Sequence, residues 1–171
     1  LHGEGHCAPW RASKKSGNVR NNDRDAEPGG RIHVEHVDCS QPGLIGQKSG
    51  ILIHESCCCA PIFCDGHTGQ GYVHLQSSSA ATQTVNAKID FERVCERCGI
   101  RVKAFTCCGV GAHHQNGVAE HFIRALSNRG RAMIQHACLH WPEAMSVRLW
   151  PCAHKLACHI ENHVHGEQGR S

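Results

Sequence analysis

Aromatic side chains are scarce in this chain of 171 residues, at 5% of the total, with three Trp, one Tyr and four Phe. Hydrophobic residues still make up 40% of the sequence, so the core of one ordinary-sized domain has to be built mainly from Val, Ile, Leu, Ala and Cys. No apolar run approaches the roughly 20 residues that a membrane-spanning helix requires. We therefore expect an intracellular protein with no membrane association.

Acidic residues are rare between residues 97 and 131. This segment holds six basic residues and one carboxylate, Glu120, although the formal net charge of the whole chain is only +3. A basic segment of this kind is typical of proteins that contact a polyanion through Lys and Arg, and the alternative is an ordinary solvated face. The six basic residues are Arg97, Arg101, Lys103, Arg124, Arg129 and Arg131.

The thirteen Cys and sixteen His exceed what packing alone needs. Cys95 and Cys98 form a C-x-x-C pair, and Cys107 and Cys108 follow nine residues later, so four thiolates could hold zinc. The first pair lies in a helical pattern and lacks the spacing of paired zinc ribbons, which leaves a zinc-binding module as an alternative. The Cys triplet is interpreted as part of a strand or a loop, and the clustered His residues as surface residues. These are Cys57, Cys58 and Cys59, and His136, His140, His154, His159 and His163.

The chain alternates short strand patterns with amphipathic helical ones. Residues 1–30 read as a polar linker, and residues 40–50 as a loop. Strands are predicted over 32–38, 60–64, 72–76 and 100–105, with a glycine-rich turn joining the second to the third. Between the third and fourth strands, a helix buries Ala87, Phe91, Val94, Cys95 and Cys98, with N-cap candidates among Ser77, Ser78 and Ser79 and Gly99 after its end. This β-β-β-α-β order puts the last strand beside the first.

Further helices are predicted downstream of residue 115. The first begins near Asn116 or Gly117, and Trp141 and Pro142 open a second helical stretch. A last helix begins near Pro151, which is tolerated in a first turn. The predicted core residues are Val118, Phe122, Leu126, Met133 and Ala137 in the first helix, and Ala153, Leu156, Ala157 and Ile160 in the last; Glu120, Arg124, Ser127 and Arg131 occupy the opposite stripe of the first.

Two carboxylates occupy positions that suit metal-assisted phosphodiester chemistry. Asp38 ends the first predicted strand, and Glu120 lies in the first turn of a helix. Two divalent ions about 4 Å apart can activate a nucleophilic oxygen and stabilise the leaving oxygen, and Mg²⁺ prefers carboxylate ligands that converge from different elements. The alternative for Glu120 is a favourable interaction with the helix dipole.

The run C-G-V-G-A-H-H-Q-N-G-V-A-E over residues 108–120 resembles the motif that ends in the last catalytic residue of copia-type retrotransposon integrases. Segments 36–38, 63–65, 71–76, 132–133, 140–144 and 149–151 are also similar to that family, and the resemblance covers about residues 10–163. It implies an α/β, ribonuclease H-like core with a mixed sheet flanked by helices over residues 31–165, followed by a tail, 166–171. Residues 1–30 then include the remnant of an N-terminal module.

The resemblance further implies DNA integration with Mg²⁺ or Mn²⁺, Asp38 and Glu120 as catalytic metal ligands, and Lys103, Arg124 and Arg131 as DNA contacts. DNA is the implied partner, a homo-oligomer the implied assembly, and the nucleus or retroelement particles the implied location. The family's middle Asp has no counterpart, because no acidic residue lies between Glu96 and Glu120. We therefore expect an internal deletion and impaired catalysis. Asp65 is a substitute ligand or simply a hairpin-turn residue, and a non-functional retroelement fragment is a further alternative.

Overall fold

The structure, a computed structural model, describes residues 26–46, 56–107 and 116–167. Most of the predicted linker 1–30, Cys108 with most of the glycine-rich loop that follows it, and most of the tail 166–171 lie outside these residues. Three α-helices are described: α1 (Ala81–Arg97), α2 (Gly117–His140) and α3 (Trp150–Glu167). One 3-10 turn, Val147–Leu149, precedes α3.

Four strands form one mixed sheet in the order β3-β2-β1-β4. They are β1 (Ile32–Leu44), β2 (Ser56–Asp65), β3 (Gly71–Val73) and β4 (Phe105–Cys107). The first three are antiparallel neighbours, whereas β4 runs parallel to β1 after the crossover through α1. The predicted mixed α/β class, the hairpin of the second and third strands, and the position of the last strand beside the first are therefore confirmed.

The two faces of the sheet carry separate hydrophobic clusters. Side chains alternate between faces along a strand, so β2 directs Phe63 to one side and its neighbours Ile62 and Cys64 to the other. The α1 cluster consists of Ile32, Phe63, Ala87, Phe91, Cys95 and Ile100. The α2/α3 cluster includes Cys57, Ala60, Ile62, Cys64, Val73, Phe122, Leu126, Trp150, Ala157 and Cys158. Helix α1 thus covers one face, and α2 with α3 the other.

Several predicted element boundaries are wrong. The loop predicted from residue 40 begins later, because β1 continues to Leu44 by pairing with the start of β2 across a register shift between Asp38 and Gly43. The fourth strand begins at Phe105 rather than at residue 100. Helix α1 begins after Ala80, which provides no side-chain cap, so the predicted serine cap is also wrong. The Cys57–Cys59 triplet lies in β2, as one of its two interpretations predicted.

The predicted buried faces of the last helices are partly wrong as well. Val118 is 37% exposed, because the inward line of α2 is Ala119, Phe122, Leu126 and Gly130. In α3, Leu156 is 51% exposed, because that helix buries Ala153, Ala157 and Cys158 instead. A Cβ on Gly130 would lie 3.6 Å from that of Ala153, an ordinary van der Waals distance, so α2 and α3 contact each other through small residues here. The stretch from Trp141 forms a turn and the 3-10 segment instead of a further α-helix.

Candidate carboxylate site and basic helix face

Asp38 lies in the middle of β1 rather than at its end. It pairs with Cys59 across the antiparallel β1–β2 ladder, and its side chain is exposed. Its neighbours Val37 and Cys39 both pack against the α2/α3 cluster. Because successive side chains alternate, Asp38 leaves the sheet on the α1 face.

Glu120 lies in the first turn of α2, as predicted, and is half-buried. Its backbone N–H donates to the Asn116 carbonyl at 3.1 Å, which makes it part of the helix entry. Helix α2 packs on the α2/α3 face of the sheet, whereas Asp38 lies on the α1 face of β1. The pairing of these two carboxylates in one site stays a prediction.

Asp65 is a buried turn residue. One carboxylate oxygen accepts the Gly29 backbone N–H at 3.1 Å, and the other accepts the backbone N–H and the hydroxyl of Thr68 at 3.0 and 2.6 Å. The carboxylate is 0% exposed. Its hydrogen bonds close the β2–β3 hairpin, which is the simpler of the two predicted interpretations.

A polar junction missed by sequence reasoning joins β1 to the start of α2. Asn116, only 1% exposed, accepts a hydrogen bond from His33 Nδ1 on its amide oxygen Oδ1 at 3.0 Å and donates from Nδ2 to the Val34 carbonyl at 2.9 Å. Its amide also lies 3.3 Å from a carboxylate oxygen of Glu35. Glu35, rather than Asp38, is thus the β1 carboxylate on the same side as Glu120. The only sequence signal was the period-two spacing of His33, Glu35 and Val37.

The zinc alternative places a ligand in the hydrophobic core. Cys95 is 0% exposed within the α1 cluster, and burial raises the pKa of its thiol to about 12. Zinc binds the thiolate, which this environment disfavours. Cys98 packs against the same cluster, Cys107 is exposed at the end of β4, and Cys108 lies outside the described residues. Within the described ranges, no three His, Cys, Asp or Glu side chains are grouped so that they could hold a metal ion.

The predicted DNA contacts differ in their surroundings. Lys103 forms an ion pair with Glu27, and both side chains are 55% exposed. Arg129 pairs with Glu161 of α3 at 2.8 Å. Arg124 and Arg131 are exposed on the outer side of α2, in a line with three other exposed polar residues at helical spacing. We call this line the basic stripe: His121, Arg124, Asn128, Arg131 and Gln135. The sequence contains no acidic residue from 121 to 142.

No protein-family model matches this sequence, and no curated protein is significantly similar to it. None of the described helices is both long and apolar enough to cross a membrane.

Proposed function

We propose that this chain is a shortened, integrase-like core of the ribonuclease H-like type that binds DNA without sequence preference and has lost most of its strand-transfer chemistry. The observation that carries the DNA-binding part is the basic stripe of α2. Its two arginines are solvent-exposed, no carboxylate lies on the stripe, and they are 7 residues apart. That spacing corresponds to two helical turns, about 10 Å, so the cations can meet different phosphates of one backbone.

The order of strands supports the assignment of fold. Three antiparallel strands, a helical crossover and a fourth strand parallel to the first are the elements that the resemblance implies up to its missing segment. Within the described residues, β4 ends the sheet. Beside it, a groove of about 400 Å³ is lined by apolar side chains including Val34, Phe63, Val85 and Phe105. An apolar groove at this edge, formed by the described residues, is what an internal deletion after the fourth strand would leave.

The carboxylates support the proposed loss of chemistry. A two-metal mechanism needs ligands that converge on ions about 4 Å apart, whereas Asp38 lies on the α1 face of β1, Glu120 begins a helix that packs on the other face, and Asp65 accepts three hydrogen bonds in its turn. The described residues thus do not fit the Mg²⁺ or Mn²⁺ pair that the resemblance implies. We assign no metal-dependent step to them.

Replacing Arg124 and Arg131 by Gln is expected to weaken binding to duplex DNA of any sequence. Each lost phosphate contact lowers the slope of log affinity against log salt by about 1. The ratio of parent to variant affinity should therefore shrink roughly tenfold between about 50 and about 200 mM salt. Fluorescence anisotropy with a labelled 20–30 base-pair duplex measures both quantities.

The matched control removes two arginines from α1, on the other side of the sheet. Arg93 and Arg97 are exposed, and Arg93 pairs with Asp90 at 3.1 Å. Their replacement by Gln changes net charge by the same amount and is expected to leave the salt slope nearly unchanged. Equal losses in both variants, or parent binding that ignores salt, would contradict the role of the stripe.

Strand transfer on a branched DNA substrate with Mn²⁺ is expected to give no product from the parent chain or from Glu120→Gln. The reason is the missing middle carboxylate, since no acidic residue lies between Glu96 and Glu120. A cooperative thermal melt of the same samples shows that the fold is intact. Product that forms with the parent and disappears in Glu120→Gln would contradict the proposed loss of chemistry, while leaving the DNA-binding test independent.

A further inference from the structure

Two exposed histidine pairs lie on the helices of the α2/α3 layer, each with a spacing of four residues. On α3 the rings of His159 and His163 have centroids 4.2 Å apart, and on α2 those of His136 and His140 are 4.7 Å apart. Residues four apart lie on one helix face. His154 precedes the α3 pair in the sequence and is predicted to lie at the surface with it. The structure buries His154 instead, and its Nδ1 lies 3.0 Å from the Trp150 carbonyl oxygen.

The α3 pair has a feature that prepares it for metal binding. Nδ1 of His163 lies 2.7 Å from the backbone carbonyl oxygen of His159. A carbonyl oxygen only accepts hydrogen bonds, so Nδ1 carries the proton in the neutral ring and Nε2 keeps its lone pair. A hydrogen bond from the second ring nitrogen to a backbone carbonyl is also the usual way in which a metal-ligating histidine is oriented.

We propose that His159 and His163 chelate one borderline transition-metal ion, of the Zn²⁺, Ni²⁺ or Cu²⁺ class, using Nε2 of His163 and a ring nitrogen of His159. Metal–imidazole bonds are about 2.0–2.1 Å long, so two ligating nitrogens are at most about 4 Å apart. Rings with centroids 4.2 Å apart meet this limit after small side-chain rotations. Both side chains are exposed, which leaves the remaining coordination positions to water. This proposal does not depend on DNA binding.

The α2 pair provides an internal comparison. His136 and His140 have the same spacing and exposure, but within the described part of the chain neither ring has a backbone carbonyl as a hydrogen-bond partner. Orienting hydrogen bonds of this kind typically change metal affinity by about 10–100-fold. The α3 pair should therefore bind the ion at least roughly tenfold more tightly than the α2 pair.

Calorimetric titration of the full chain with ZnCl₂ and with NiCl₂ tests the proposal. The variant H159Q/H163Q is expected to lose the tightest histidine-dependent site, whereas H136Q/H140Q should retain it. Cysteines are identical in all three proteins, so differences between them report the histidines. Identical titrations of the parent and H159Q/H163Q would overturn the proposal, as would a greater loss in H136Q/H140Q.

A second measurement locates the ion. A Zn²⁺ ion that bridges two side chains one turn apart stabilises the helix between them. Adding Zn²⁺ to the parent should therefore slow amide hydrogen exchange in α3 around residues 159–164. The same addition should leave exchange there unchanged in H159Q/H163Q, whose fold is checked by its exchange without metal. Unchanged exchange in the parent at saturating Zn²⁺ would also overturn the proposal.

Discussion

Asp65→Ala is expected to destabilise the protein by roughly 3 kcal/mol or more, because hydrogen bonds to a charged group contribute about 1.5–3 kcal/mol each. The substitution removes the acceptor for the backbone N–H groups of Gly29 and Thr68 and for the Thr68 hydroxyl. These donors lie in a region where the carboxylate has no exposure to water. A domain is typically stable by only about 5–15 kcal/mol, so the loss should be evident in urea denaturation.

Asp38→Ala is the matched control, since it makes the same substitution at another aspartate of the same sheet. Asp38 is exposed, and surface substitutions usually change stability by no more than about 0.5 kcal/mol. If Asp65 were held for metal binding rather than for the hairpin, the two variants would have similar stability in metal-free buffer. Comparable urea midpoints for both would therefore contradict the structural role of Asp65.

The topology of the sheet could be predicted from local patterns. The glycine-rich turn after Asp65 requires a hairpin, and the inward line of Ala87, Phe91 and Cys95 requires a helix that covers a hydrophobic face. Gly99 adopts a φ of +73° just after α1, a conformation that favours glycine. The end of that helix could therefore also be predicted from the sequence. A helix between two strands then leaves a parallel crossover as the simplest connection.

Strand lengths depended on tertiary pairing and could not be read locally. Residues 100–105 alternate as a strand does, yet the chain there connects α1 to the sheet: Ile100 packs into the α1 cluster, and the Lys103 N–H donates to Gly29. The chain first reaches β1 at Ala104, whose carbonyl accepts the Ile32 N–H at 2.9 Å, and the regular β1–β4 pairing begins at Phe105. Conversely, Pro42 and Gly43 indicate a loop, but β1 continues through them because β2 supplies a partner strand.

The sheet faces on which the candidate carboxylates lie also depend on tertiary pairing. Ending the first strand at Asp38 left the direction of that side chain undetermined, whereas a longer β1 assigns it by alternation to the α1 face. The junction of Asn116 with His33 and Glu35 joins residues more than 80 positions apart. No local pattern contains such a contact. Residue types and element order were thus accessible, but not the face on which each carboxylate emerges.

Phe63→Ala is expected to cost about 3–5 kcal/mol, the usual range for deleting a buried phenylalanine side chain. The chain has only four Phe, and three of them, with its single Tyr, meet in one cluster. Phe63 stacks on Phe91 at a centroid distance of 4.7 Å, and it contacts Tyr72 and Phe105 at 6.1 and 6.4 Å. It therefore connects β2, α1, β3 and β4, and no other aromatic residue can replace these contacts.

Urea denaturation of Phe63→Ala and of Phe63→Leu separates this aromatic contribution from simple apolar burial. The Leu variant refills most of the volume and should lose only about 1–2 kcal/mol. Because Phe63 and Phe91 touch, the effects of Phe63→Ala and Phe91→Ala should not add; a coupling of about 0.5–1.5 kcal/mol is expected from their stacking. Additive losses, or a cost below about 1 kcal/mol for Phe63→Ala, would show that the α1 face of the sheet is not held together by this cluster.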